Sequence, residues 1–209
     1  MARAPEQPPS AERLVFFTDA VVAIALTLLV LPLVDLVPEA RRGGLRLGQL
    51  LGDNLSAIGA FLLSFAVISR FWWAHHELFR HVSGLSRPLV RWNLLWTFSI
   101  VFLPVPTAII TSYAPSPGTV AIYIGTLVVT SGALTMLTLT VHRHAELGSS
   151  RPAETREEVL GSVAAFTALL LALVVGTVFA RTVGFYPLLL LLLTDPVERL
   201  VRRHWSRTG

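Results

Sequence analysis

The chain has 209 residues, 53% of them hydrophobic and only 14% charged, where a soluble domain carries about 25% charged residues. All seventeen basic residues are arginine, the net charge is +4, and cysteine is absent, which excludes disulfides, thiol catalysis and cysteine metal sites. A pI near 10.6 would point a soluble protein toward nucleic acid, but the mean hydropathy is +0.64 and apolar runs long enough to cross about 30 Å of hydrocarbon recur along the chain; this is an integral membrane protein with membrane lipid, not nucleic acid, around it.

Continuous apolar runs predict an all-α membrane fold, because a barrel strand would alternate polar and apolar residues. Residues 1–12, polar and Pro-rich, read as a flexible tail. The first span covers about Arg13 to Val37; its apolar core is longer than that of a signal peptide and no A-x-A-like site follows, so it is expected to be retained. A Gly- and Arg-rich loop around Arg41 to Gly48 leads to span two, about Asn54 to Glu77. Span three covers about Trp92 to Ser112 and ends in the turn-rich APSPG at 114–118. Span four runs from about Thr119 to Val141 and is closed by the charged stretch His142 to Glu158.

The last apolar stretch, Val159 to Thr194, has Arg181 as its one charge. As a single helix it would be roughly 54 Å long, too long for one pass. A break near Arg181 and Gly184, with Pro187 early in the next helix, gives a fifth and a short sixth span. The expected organisation is a six-helix domain over 13–204 with a short tail at 205–209.

Six passes put both termini on one side. That side then holds Arg80, Arg87, Arg91, Arg143, Arg151 and Arg156, with Arg3, Arg13 and the arginines after residue 198. The other side holds Arg41, Arg42, Arg46 and Arg181. The positive-inside rule makes both ends cytoplasmic and the expected location the cell membrane.

Ionisable residues inside spans cost about 2.5–3.5 kcal/mol on insertion scales and mark function or an internal partner. In RLVFFTDAVVAIALTLLVLPL, residues 13–33, Arg13 and Asp19 are about 120° apart on a helix, so they do not pair and each needs a partner elsewhere. Trp72, His75 and Asn93 offer donors and acceptors near the same side, although interfacial aromatics and snorkelling side chains account for such residues too. Ile24, Leu28 and Leu31 recur at i, i+4 and i+7 as an apolar stripe with Thr27 beside it. For a lone stripe of this kind, plain lipid or helix contact is the better explanation.

Arg13-x-x-x-Phe17-Thr18-Asp19 resembles the RxxxFSD signature of the transmembrane protein 175 potassium channels, found in bacteria and in lysosomes. The continuation AVVAIALTLLVL, Trp72-x-x-His75-His76, and Asn93 with LPVPTA at 103–108 are similar to that family as well. The resemblance covers about the first 110 residues, and Thr18 departs from the signature Ser while keeping the hydroxyl. It implies a homotetramer that conducts potassium, with modest selectivity over sodium and no cofactor, in which the first helix of each subunit lines the pore. Carried over, Ile24 takes the narrowest hydrophobic ring, Thr27 the polar position beside it, and Leu28 and Leu31 the further rings. Arg13, Phe17, Thr18, Asp19, Trp72, His75, His76 and Asn93 become the structural signature that ties the first helix to those behind it. By ideal geometry Asp19 lies about 140° from Ile24 and faces its own subunit. Arg13 falls near the Ile24 face, as either an anchor or a pore-mouth charge.

Two lookalikes are set aside. TVGFY at 182–186 lacks the glycine after the aromatic residue and the pore helix that a carbonyl filter needs. His76, Glu77 and His81 form HExxxH, whose histidines are about 140° apart on a helix and do not share one metal. No nucleophile–base pair or phosphate loop points to an enzyme. A proton-coupled transporter titrating Asp19, His75 or His76 is the alternative to a channel, although no strong inverted repeat supports it.

Overall fold

The computed structural model describes residues 11–80, 82–144 and 152–179. Among these residues eight helices follow one another: α1 (Ala11–Leu28), α2 (Leu31–Arg42), α3 (Leu47–Asp53), α4 (Leu55–Phe79), α5 (Arg87–Phe102), α6 (Pro104–Ser112), α7 (Pro117–Arg143) and α8 (Pro152–Val178). By length and composition they provide five membrane-spanning units: Ala11–Arg42, Leu55–Phe79, Arg87–Ser112, Pro117–Arg143 and Glu158–Val178. The expected break at Arg181 and Gly184, the sixth span, the TVGFY stretch and His81 lie outside the described residues.

Two spans are each built from two helices, and proline explains both breaks. Pro32 has no N–H for the carbonyl of Leu28, so α1 ends there and Leu29–Val30 form a turn before α2. Span one is therefore an interrupted helix rather than the continuous one its hydropathy predicts, and it runs on to Arg42. Pro104 likewise leaves the carbonyl of Ile100 without its i+4 donor, and Leu103 N bonds it instead at 3.2 Å, tightening the last turn of α5. The Arg41–Gly48 loop is shorter than expected: a turn through Gly44, at φ +69°, precedes α3. Serine starts two helices. Ser86 Oγ accepts from Leu89 N at 3.3 Å, and Ser116 exchanges backbone-to-hydroxyl bonds with Thr119 at 2.9 and 3.2 Å.

The core forms around α7, which packs against α8, α5, α6 and α4. Val120, Tyr123, Ile124, Leu127 and Leu137 of α7 are fully buried there with Trp96 and Ile100 of α5. Small residues bring α7 and α8 close: a Cβ on Gly132 would stand 3.0 Å from the Phe166 ring, and one on Gly176 3.0 Å from Val120. The helix α1 lies on the other flank, against α5, α4 and α6.

Candidate functional site

Among the described residues, one side of α1 is covered and the other is not. Thr18, Val22, Ala25 and Leu29 recur at helical spacing and are buried, so this side faces α4 and α5. The opposite side carries Phe17 (52% exposed), Ile24 (59%), Leu28 (39%) and, past the break, Leu31 (50%). Thr27 is exposed among them, its hydroxyl donating to the carbonyl of Ile24 at 2.7 Å.

The covered side is held by a hydrogen-bonded chain whose polarity follows from one proton. Thr18 Oγ1 donates its hydrogen to the carbonyl of Leu14 at 2.9 Å, so toward Asn93 it can only accept. Asn93 Nδ2 supplies that donor at 2.9 Å. The amide oxygen of Asn93 is thereby turned to His75, whose Nε2 lies 2.7 Å away; His75 must donate, which fixes its tautomer with a proton on Nε2. The ring is clamped between Trp96 and Phe79, with centroids at 4.3 and 4.4 Å, both stacked. Thr18, His75 and Asn93 are all fully buried.

A second bond runs beside this chain: Trp72 Nε1 donates to Asp19 Oδ1 at 2.8 Å. The neighbours Thr18 and Asp19 thus reach two different helices, α5 and α4. Of the residues expected to anchor span one, Thr18, Asp19, Trp72, His75 and Asn93 come together in these contacts. His76 joins through its ring, 5.6 Å from that of Trp72. Phe17 points outward with the apolar stripe, and Arg13 is exposed, with no hydrogen bond to Trp72, His75 or Asn93 among the described residues.

A third polar cluster sits under the α5–α6 break. Thr107 Oγ1 contacts both the carbonyl of Leu103 at 2.8 Å and Ser64 Oγ at 2.9 Å, and Ser64 Oγ lies 3.0 Å from the Tyr123 hydroxyl. All three side chains are buried. The cluster ties α4, α6 and α7 together at the point where Pro104 and Pro106 leave carbonyls without helical donors. Its signal in the sequence is faint: Thr107 just after Pro104 and Pro106, and a serine and a tyrosine in apolar runs.

The family model described as "Endosomal/lysosomal potassium channel TMEM175" matches residues 13–104. A potassium channel of Streptomyces collinus is 38% identical over 97 residues, 46% of this chain and 46% of that protein. A potassium channel of Chamaesiphon minutus is 37% identical over 123 residues, 56% of this chain and 57% of that one. The chain thus spans about half the length of the curated relatives it matches. The crystal structure of a lysosomal potassium-selective channel TMEM175 homolog from Chamaesiphon minutus superposes with a TM-score of 0.56 at 26% identity, covering 85% of this chain and 97% of that one. The stretch that matches the family model, residues 13–104, holds both the Thr18–Asn93–His75 chain and the Asp19–Trp72 bond.

Proposed function

We propose that the protein is a potassium channel whose pore is lined by the uncovered side of α1, with Ile24 at the constriction and Thr27, Leu28 and Leu31 beside it. The observation that carries this reading is the two-sidedness of α1: bonded to α4 and α5 behind, exposed and apolar in front. One copy of α1 encloses nothing, so the channel is a homotetramer with four such faces around an axis, the closed symmetry common for oligomers. The relatives named as potassium channels support the ion. One six-span domain over 13–204, with both ends cytoplasmic and no cofactor, completes the reading, and its place is the cell membrane.

A ring of Ile24 side chains has no oxygen to replace water around an ion. Selection then rests on how readily a hydrated ion sheds or rearranges its shell in an apolar neck, a constriction that also gates by dewetting. Potassium holds water less tightly than sodium, so preference for potassium follows, and it is modest. Bilayer recordings under bi-ionic potassium and sodium test this directly: Ile24→Asn raises current and lowers the preference. Unchanged conductance and reversal potential would return the stripe to lipid contact. Saturable exchange that needs a counter-substrate, in liposomes with a potassium gradient, would favour the transporter instead.

A further inference from the structure

On the flank away from α1, the helices α4, α7 and α8 leave an open cleft of about 550 Å³. Each helix lines it with one face: Arg70, Trp73 and Glu77 from α4, Ser131 and Leu134 from α7, Glu158 and Ser162 from α8. One guanidinium and two carboxylates thus face a single cleft of the bundle.

Their order along the membrane normal says what ligand they suit. Glu77 lies two residues before the end of α4, and Glu158 opens the apolar part of α8, so both carboxylates stand at the membrane surface. Arg70 is two turns further in on the same face of α4, about 10 Å deeper, with a long stem that lets its head rise toward the interface. Positive charge deep and negative charge shallow is the inverse of a phospholipid whose phosphate sits at the glycerol and whose amine sits at the tip. Arginine recognises a phosphate through paired N–H donors. Two carboxylates are suited to the three hydrogens of a primary ammonium. Trp73, 60% exposed beside the cleft, has the amphipathic ring found at headgroup depth.

We propose that this cleft is a binding site for a zwitterionic phospholipid with a primary-amine headgroup, its phosphate on Arg70 and its ammonium on Glu77 and Glu158. The protein's own contacts leave capacity for it. Glu77 already holds Arg80 through both oxygens at 3.0 Å, and Arg70 and Glu158 also interact within the chain; a carboxylate has about four acceptor positions and a guanidinium five donors.

Native mass spectrometry of the full chain tests this, in detergent with equal amounts of phosphatidylethanolamine, phosphatidylcholine and phosphatidylglycerol of matched acyl chains. The ethanolamine lipid is expected to be retained roughly tenfold over the other two, the weight of one hydrogen bond to a charged group. Arg70→Gln abolishes retention, and Glu158→Gln lowers it to the choline level. Ala165→Phe fills the cleft from α8 without touching a charge and has the same effect as Arg70→Gln. Equal retention of the three lipids by the unaltered protein overturns the site, whether or not the variants fold. So does displacement of the lipid by an equal concentration of free phosphoethanolamine, which would make the ligand a soluble one. Lipid retention is read without ion flux, so it stands or falls apart from the channel reading.

Discussion

Asp19 and Trp72, 53 residues apart in the chain, meet through a 2.8 Å hydrogen bond from the indole N–H to the carboxylate. An acidic residue in an apolar helix is thereby given a donor from the helix behind it. Asp19→Ala leaves the indole donor without that partner, a loss of about 1–3 kcal/mol, more where a charge is involved. Asp35 is exposed in α2 with no hydrogen bond described for its side chain. Asp19→Ala is therefore expected to lower the melting temperature in detergent and to impair assembly, with Asp35→Ala close to the parent. Equal and mild effects would make Asp19 an ordinary surface residue.

Thr18 distinguishes hydroxyl from shape. Thr18→Ser keeps both bonds of Oγ1 and is expected to be nearly neutral. Thr18→Val keeps the volume but leaves Asn93 Nδ2 without its acceptor, and is expected to cost about 1–2 kcal/mol. Melting curves of the pair check this; equal stability of Val and Ser would deny the Asn93 bond any weight.

For Asn93 the expected loss is larger, because one amide serves both Thr18 and His75. Asn93→Leu removes two bonds at once and leaves the Nε2 donor of His75 buried without an acceptor. A double-mutant cycle of Asn93→Leu with Thr18→Val should show coupling of about 0.5–3 kcal/mol, as for residues in one network. Strict additivity of the two losses would mean that the chain does not act as a unit.

The cluster under the α5–α6 break gives a smaller effect. Tyr123→Phe deletes the hydroxyl 3.0 Å from Ser64, and hydrogen bonds between membrane helices average about 0.6 kcal/mol. The expected shift in melting temperature is small but exceeds that of Thr126→Val, whose hydroxyl donates to the carbonyl of Ile122 in its own helix. The reverse order would assign the cluster no role in joining α4, α6 and α7.

Hydropathy located the five described spans, because the bilayer imposes length and apolarity on any helix that crosses it, but it did not show the break in span one or its extent to Arg42. Asp19, Trp72, His75 and Asn93 were legible for the same reason: polar groups in such runs need partners. What the residues did not reveal was the pairing. That Trp72 serves Asp19 while Asn93 serves Thr18 depends on how α1 is rotated between α4 and α5, a tertiary property. Arg13 has the same charge-in-a-span signature as Asp19, yet six residues earlier and about 120° around the helix it lies outside the contact. Ser64, Thr107 and Tyr123 were not singled out because hydroxyls are poor signals in helices: Thr130, Thr138 and Thr140 all return their proton to the carbonyl four residues back, and only the prolines just before it set Thr107 apart.

Every bond of the Thr18–Asn93–His75 chain, and the one from Trp72 to Asp19, closes within a single polypeptide. Genetically, this divides the two sides of α1. In the proposed tetramer, a chain that cannot complete its network is defective alone, before it meets another, so the defect is recessive beside a normal copy. A change such as Ile24→Asn leaves that network intact and is carried into mixed assemblies. With equal co-expression and random mixing only one assembly in sixteen is wholly normal, and the altered phenotype is dominant.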